Sequence, residues 1–441
     1  MFKYLLYFSL IVPFSGLSQH QIMGTFSPAT DFKTTMLYQL SAGNLSYKSY
    51  GAVNELGHMK IDLDTSITPG MYKLVYALPQ SDHNFEFIYN GKEDVIFNFD
   101  RTTGVEFINS KENQLFQTYT QSITAAHYKL MELYAQPTMD PLTYKTRVHH
   151  IDSLQQSYEA LSKGMIVSHF IVASKPYIPN SVETAKTYIQ NAKSHYFKPI
   201  NFKDTILQSS NFIIDKSIDY ILGMHASETP SFEDYKANID AVYQAFSSTT
   251  PSYQLTSLSA LNDVLIKSKQ EALTVYLTET YALPLATQLK AIEMKAAMET
   301  FLRVAIGAKA PNFDIEHPLT AAKTSLYDLK GATTYLLVFW SSDCGHCMNK
   351  LPEVHSYISN HPNTDIEVIA IGLENTSQPW NEVIKGWPNF IHTIAEGKWE
   401  NDIPTTYGIT VTPSYLVLDA SKTITSKPYS LEELKTVLDQ K

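Results

Sequence analysis

From Gln21 to Phe107 the chain reads as short apolar runs separated by turns. Met36 to Leu40, Tyr47 to Val53, Met59 to Leu63, Tyr72 to Leu78, Phe85 to Tyr89 and Val95 to Phe99 are rich in aromatic or β-branched side chains. Thr68-Pro69-Gly70 and Asn90-Gly91-Lys92 are turn signals between them. Val95, Phe97 and Phe99 alternate with Asp94, Ile96 and Asn98, the two-residue period of a strand with one wetter face. The pattern predicts a small antiparallel β-sandwich over residues 19–107.

From residue 108 to 303 the period changes. Only Gly164 and Gly223 interrupt this stretch, and Leu258, Leu261, Val264 and Leu265, then Ala291, Met294 and Met298, recur at three- and four-residue intervals. That spacing places them on buried helix faces. Prolines 137, 141, 176, 179, 199, 230, 251 and 284 cut the region into several helices. Its Met and Tyr residues are read as core packing, and the sequence of this helical domain does not reveal a function of its own.

Residues 304–441 alternate between the two periods. Tyr335 to Trp340, Ile366 to Leu373 and Tyr415 to Leu418 are strand-like runs. Leu351, Val354 and Ile358 have helical spacing after Cys344, and Leu431, Leu434, Val437 and Leu438 mark a last amphipathic helix that Ser430 and Glu433 start with a capping box. Such alternation indicates an α/β sheet covered by helices. The whole chain is therefore expected to be a multidomain α+β protein.

Composition narrows the function. The 441 residues are 44% hydrophobic and 18% charged, which suits globular domains rather than a disordered chain. A net charge of -10 provides no basic field for a polyanion, so nucleic acid is not an expected partner. The counts of 17 Gly and 21 Pro exclude collagen-like sequence, and no internal repeat stands out.

Lys3 followed by the apolar run Tyr4 to Val12, Pro13, and the small residues Gly16 and Ser18 has the layout of a secretory signal peptide. Cleavage is expected after Ser18. An uncleaved anchor is the alternative, but the run falls well short of the roughly 20 apolar residues that span a bilayer. No Cys adjoins the cleavage position to carry a lipoprotein anchor, and no later run is apolar enough for a membrane helix. The mature protein is expected outside the cytoplasm and not as an integral membrane protein.

Every cysteine of the chain lies in Cys344-Gly345-His346-Cys347, between an apolar strand and a helix. A helix start aims free amide N–H groups and a positive dipole end at Cys344, favouring thiolate over thiol. His346 adds a hydrogen-bonding neighbour. Cys344 is then the exposed attacking sulfur, and Cys347, about one turn on, is the buried sulfur that resolves a mixed disulfide. A zinc site needs four ligands and the second pair is missing. A purely structural bridge over so short a loop would add little stability. No metal and no cofactor beyond the Cys344–Cys347 disulfide are expected.

Gly307-Ala308-Lys309-Ala310-Pro311-Asn312-Phe313, Ser325-Leu326-Tyr327-Asp328-Leu329-Lys330-Gly331, Phe339-Trp340-Ser341-Ser342-Asp343-Cys344-Gly345-His346-Cys347 and Thr410-Val411-Thr412-Pro413-Ser414-Tyr415-Leu416-Val417-Leu418-Asp419 closely resemble the TlpA/ResA-like thioredoxin-fold proteins. The upstream portion resembles the DUF4369-type β-domain that precedes such domains in Gram-negative envelope proteins. The resemblance implies a thioredoxin-like C-terminal domain and thiol-disulfide exchange in the periplasm or cell envelope. Its partners would be protein thiol or disulfide clients and a membrane electron donor. It also implies a cis bond before Pro413, a client contacting Trp340, Gly345, Thr412 and Pro413 as an added strand, and a helix-kinking role for Pro352.

Two departures from the family are visible. Val338 stands where thioredoxins carry a buried Asp, and Lys350 where ResA-like members carry Glu; Glu353 and Glu374 are the candidate substitutes. The Gly-His pair matches protein disulfide isomerase, which places the potential nearer about -180 mV than thioredoxin's about -270 mV, a gap of roughly 4 kcal/mol. Reduction, isomerisation and oxidation all remain compatible with the motif, and the relatives, mostly reductases, favour reduction.

Two other readings differ in class. One is a non-catalytic envelope binding protein with a degenerate thioredoxin domain. The other is a peroxidase of the AhpC/TSA type, although Ser341, Ser342 and Asp343 do not supply that family's Pro and Thr. His149-His150, His355 and His361 are read as solvated, and no phosphate loop or nucleophile elbow occurs.

Overall fold

The computed structural model describes residues 20–41, 44–136, 138–225, 227–316, 323–361, 365–378 and 380–440. The leader expected over residues 1–18 lies outside the described residues. The chain forms two compact units that divide between Ser257 and Leu258.

The first unit opens with β1 (Gln21–Ser27), β2 (Thr34–Ser41), β3 (Asn44–Ala52), β4 (His58–Asp62), β5 (Gly70–Val75), β6 (Asn84–Tyr89), β7 (Val95–Asp100) and β8 (Gly104–Asn109). They make two four-stranded sheets, ordered β4-β1-β7-β8 and β3-β2-β5-β6. Ile22, Phe26 and Phe97 from one sheet and Leu37, Leu74 and Phe87 from the other share one core. One pairing departs from the antiparallel expectation, because β1 runs parallel to β7 with Phe26 opposite Phe99. Alternation specifies which face is buried but carries no strand direction, and no hairpin links these two strands. Gly24 makes the pairing sterically feasible, since a Cβ there would collide with the Phe97 ring.

Helices α1 (Lys111–Tyr134), α2 (Pro141–Leu161), α3 (Val167–Ala173), α4 (Ala185–His195), α5 (Thr205–Gln208), α6 (Phe212–Gly223) and α7 (Phe232–Phe246) follow. Their starts are locally encoded. Asp140 caps α2 by accepting the Thr143 N–H just ahead of Pro141, and Ser231 and Asp234 form a capping box on α7.

Helix α8 (Pro251–Lys267) enters the second unit and buries Leu258, Leu261 and Leu265 as their spacing predicts. After α9 (Glu271–Leu277), α10 (Leu283–Gln288) and α11 (Ile292–Arg303), the short strands β9 (Asp314–Glu316) and β10 (Lys323–Ser325) pair antiparallel. The remaining elements are β11 (Thr334–Trp340), α12 (Gly345–Ser359), β12 (Ile366–Glu374), α13 (Trp380–Val383), β13 (Ile391–Glu396), α14 (Asp402–Thr406), β14 (Ser414–Asp419), β15 (Ile424–Ser426) and α15 (Leu431–Leu438).

Five of these strands form one sheet, ordered β13-β12-β11-β14-β15, in which β11, β12 and β13 are mutually parallel. Strand β11 is buried at every position, which explains its unbroken apolar run. Leu336, Val338 and Trp340 face one core with Leu351 and Val354 of α12 and Leu434 of α15. Tyr335, Leu337 and Phe339 face the other with Phe313, Leu326 and Tyr407. Gly372 of β12 lies under Trp380, whose ring occupies the space a Cβ would need.

Helix α15 begins as expected with the Ser430 hydroxyl accepting the Glu433 N–H, but the reciprocal half of the capping box is absent. Glu433 turns outward instead, accepting the Tyr429 N–H and pairing with Lys269. Among the described residues, no helix is long and apolar enough to cross a membrane.

Candidate active site

The three parallel strands end at one edge of the sheet, and antiparallel β14 starts there, with Ser414 opposite Phe339. The chain leaves β11 at Ser341, whose carbonyl accepts the Cys344 N–H at 3.1 Å. Cys344 is the N-cap of α12, and its Sγ accepts the Cys347 N–H at 3.1 Å. Sulfur thus occupies the place where a helix start has unsatisfied donors.

Cys344 and Cys347 are disulfide-bonded, with Cα atoms 5.2 Å apart. Cys344 is half-buried, whereas Cys347 has 0% exposure. Gly345 and His346 are exposed on the first turn, and a side chain at Gly345 would meet open space.

The Thr412–Pro413 peptide bond is cis, the geometry the resemblance implied. The Thr412 carbonyl oxygen lies 3.6 Å from Cys344 Sγ. Val411 is exposed, and Pro413 is half-buried on the wall of a groove of about 610 Å³ that Thr300 and Phe301 of α11 and Tyr429 also line. The groove is mostly apolar, as suits an extended peptide segment.

Trp340 is corrected by its burial. The ring has 0% exposure and packs edge-on against Trp387 at 5.1 Å between centroids, so it offers a client no surface. His361 is likewise not solvated: its side chain is 5% exposed and its Nε2 lies 3.3 Å from Asp439. His355 stacks edge-on against Phe390. His149 and His150 are exposed.

Val338 points into the core, leaving no polar group at its position. Lys350 pairs with Glu353 at 3.2 Å, engaging both on the outer surface of α12. Glu374 is different. At the end of β12 it is 2% exposed, and its two carboxylate oxygens accept the backbone N–H of Ser342 at 2.6 Å and the Ser342 hydroxyl at 3.0 Å. Lys398 reaches the adjacent Asp343 at 2.7 Å. Glu374, one of the two candidate substitutes for the missing acid, is brought under the β11–α12 connection by the parallel β11–β12 pairing. Burial pushes the Tyr415 phenol up to about 12, with Glu353 and Glu432 adding to it, so this ring stays protonated at neutral pH.

Residues 331–424 match a protein family described as thioredoxin-like. The C-terminal domain is thioredoxin-like. Among solved structures, a thioredoxin-like protein from Bacteroides caccae is 19% identical, with 60% of this chain and 97% of that one covered and a TM-score of 0.44. A domain of a possible thiol-disulfide isomerase from Cytophaga hutchinsonii is 31% identical, covering 31% of this chain and 91% of its own at a TM-score of 0.27. The thioredoxin domain of a thiol-disulfide oxidoreductase from Bacteroides vulgatus is 20% identical, covering 31% and 96% at a TM-score of 0.28. No curated protein matches the chain. Within the thioredoxin-like domain, the Cys-x-x-Cys pair stands at the start of the helix that follows the central strand.

Proposed function

We propose that the protein is an exported thiol-disulfide oxidoreductase of the TlpA-like type that reduces disulfides in envelope or periplasmic client proteins. One observation carries this reading: a half-buried Cys344 whose Sγ caps a helix, joined to a fully buried Cys347 and 3.6 Å from the Thr412 carbonyl.

In the reduced protein the Cys344 thiolate attacks one client sulfur, and the client disulfide breaks as a mixed disulfide forms. The departing client sulfur leaves as thiolate and takes up a proton. Cys347, deprotonated, then attacks Cys344 Sγ, the mixed disulfide breaks, and the second client thiol is released. The domain ends oxidised and the client has gained two electrons and two protons. An external dithiol donor restores the starting state. The Cys347 N–H and the start of α12 stabilise negative charge on Cys344 between these steps.

A client segment that lies along exposed Val411 and half-buried Thr412 and Pro413 meets the apolar groove, and pairing there as an added strand is the proposed mode. Gly345, Thr412 and Pro413 are the proposed client contacts, and His346 the neighbour that tunes the thiolate. Export rests on the N-terminal Lys3-to-Ser18 pattern.

Reduction of insulin by the full mature protein with dithiothreitol as donor tests the activity. Cys344→Ser abolishes it; undiminished turnover removes the proposal. The non-catalytic reading draws on apolar Val338 in place of an acid, and a Cys344/Cys347 potential below about -300 mV, typical of an inert bridge, would support it instead.

A further inference from the structure

Glu374 is costly to bury. A carboxylate removed from water needs compensating charge or hydrogen bonds, and among the described residues no Lys, Arg or His forms an ion pair with this one at 2% exposure. Its two oxygens are spent on a single residue, Ser342, through the backbone N–H at 2.6 Å and the hydroxyl at 3.0 Å. A carboxylate that holds one residue by both of its polar groups fixes that residue's position and orientation together.

Ser342 is the middle residue of the three that join β11 to Cys344. The residue before it, Ser341, accepts the Cys344 N–H at 3.1 Å through its carbonyl and the Asp343 N–H at 3.3 Å through its hydroxyl. The residue after it, Asp343, is tied to Lys398 at 2.7 Å. The Lys398 tie is on the surface, where an ion pair contributes little. The Glu374 tie is inside, where a hydrogen bond to a charged acceptor is strong and its loss leaves an unsatisfied amide.

We infer that Glu374 is a positioning residue for Cys344, acting through Ser342 to hold the sulfur between the start of α12 and the Thr412 carbonyl. This rests on the reading of Cys344 as the nucleophile. The role is mechanical and does not require the proton of Cys347. Glu374 sits at the C-terminal end of the strand next to β11, which is where a side chain can reach under the connection between β11 and α12. Attack on a client sulfur requires near-linear approach, so an error of about 1 Å at Sγ costs up to about 100-fold in rate.

The test compares Glu374→Ala, Glu374→Gln, Ser342→Ala and Cys344→Ser in the full mature protein, by steady-state insulin reduction and thermal unfolding. Glu374→Gln keeps an oxygen for the Ser342 N–H and places an NH₂ donor at its hydroxyl, so the grip survives without the charge. Expected is a kcat loss of about 10-fold or more for Glu374→Ala with KM changed less than about twofold, against a kcat within about threefold of the wild type for Glu374→Gln. Ser342→Ala, which loses one of the two bonds, falls between them. A folded Glu374→Ala with wild-type kcat overturns the inference, and so does a folded Glu374→Gln as slow as Glu374→Ala. If Glu374→Ala does not fold, the pair Ser342→Ala and Glu374→Gln decides: wild-type kcat in Ser342→Ala overturns it, and a loss there with Glu374→Gln active supports it. An active Cys344→Ser defeats the proposed function itself, whereas an inactive Cys344→Ser beside a fully active Glu374→Ala defeats only the inference.

Discussion

The backbone N–H of Cys347 donates to the Sγ of Cys344 at 3.1 Å. One sulfur is therefore solvated by the other residue's amide as well as joined to its side chain. An amide so placed, together with the start of α12, favours negative charge on Cys344 once the disulfide opens.

Alkylation of the reduced protein with iodoacetamide at neutral pH should consequently modify Cys344 first, by a margin of about 10-fold or more over Cys347. Peptide mass mapping after brief exposure measures this. Equal labelling of both residues in the folded protein would contradict the burial of Cys347 as well as its role.

Cys347→Ser should accumulate a mixed disulfide with clients, because the sulfur that would release them is gone while Cys344 stays accessible. Cys344→Ser should accumulate none. Non-reducing electrophoresis with a disulfide-bearing substrate distinguishes the two, and adducts on both variants or on neither would refute this division of labour.

Gly372→Ala places a methyl group into the ring of Trp380. A rigid indole in a packed core has little room to move, so the substitution should destabilise the C-terminal domain by ~1–3 kcal/mol. Urea unfolding followed by tryptophan fluorescence reads it, since all four Trp residues lie in that domain. An unchanged midpoint would show that Trp380 repacks freely.

In the N-terminal unit, burial raises the Glu86 carboxyl above its ordinary value, against the lowering effects of Lys73 and the Asn211 N–H. The folded chain then keeps a proton that the unfolded chain has released. The resulting stabilisation is complete below the ordinary carboxylate value of 4.5 and fades as pH rises through the folded value. Glu86→Gln should flatten this decline, seen as a smaller change in urea midpoint of the N-terminal unit between about pH 4.5 and about pH 7.5. An identical change in both proteins would exclude Glu86 as its source.

What could be read from the chain follows how local each feature is. The β11 run, the cysteine pair at a helix start and the faces of α8 and α15 depend on neighbours in sequence, and they are found where the periods place them. Strand β13 has no such signature, because His392 and Thr393 are polar residues buried by their surroundings. Strand β1 is interrupted by Gly24, which only its contact with distant Phe97 explains. The parallel β1–β7 pairing and the reach of Glu374 to Ser342, 32 residues away, are products of topology. Trp340 illustrates the same limit: adjacency to the motif suggested a client contact, but alternation along β11 turns its ring into the core.

Because β11, β12 and β13 all run toward the cysteines, their starting ends form a remote edge, marked by the Thr333 N–H bonded to the Asp365 carbonyl at 3.1 Å. Seven residues of strand separate that edge from the sulfurs, about 20 Å. A fluorophore or affinity handle attached there would follow the domain's folding and movement without entering its chemistry.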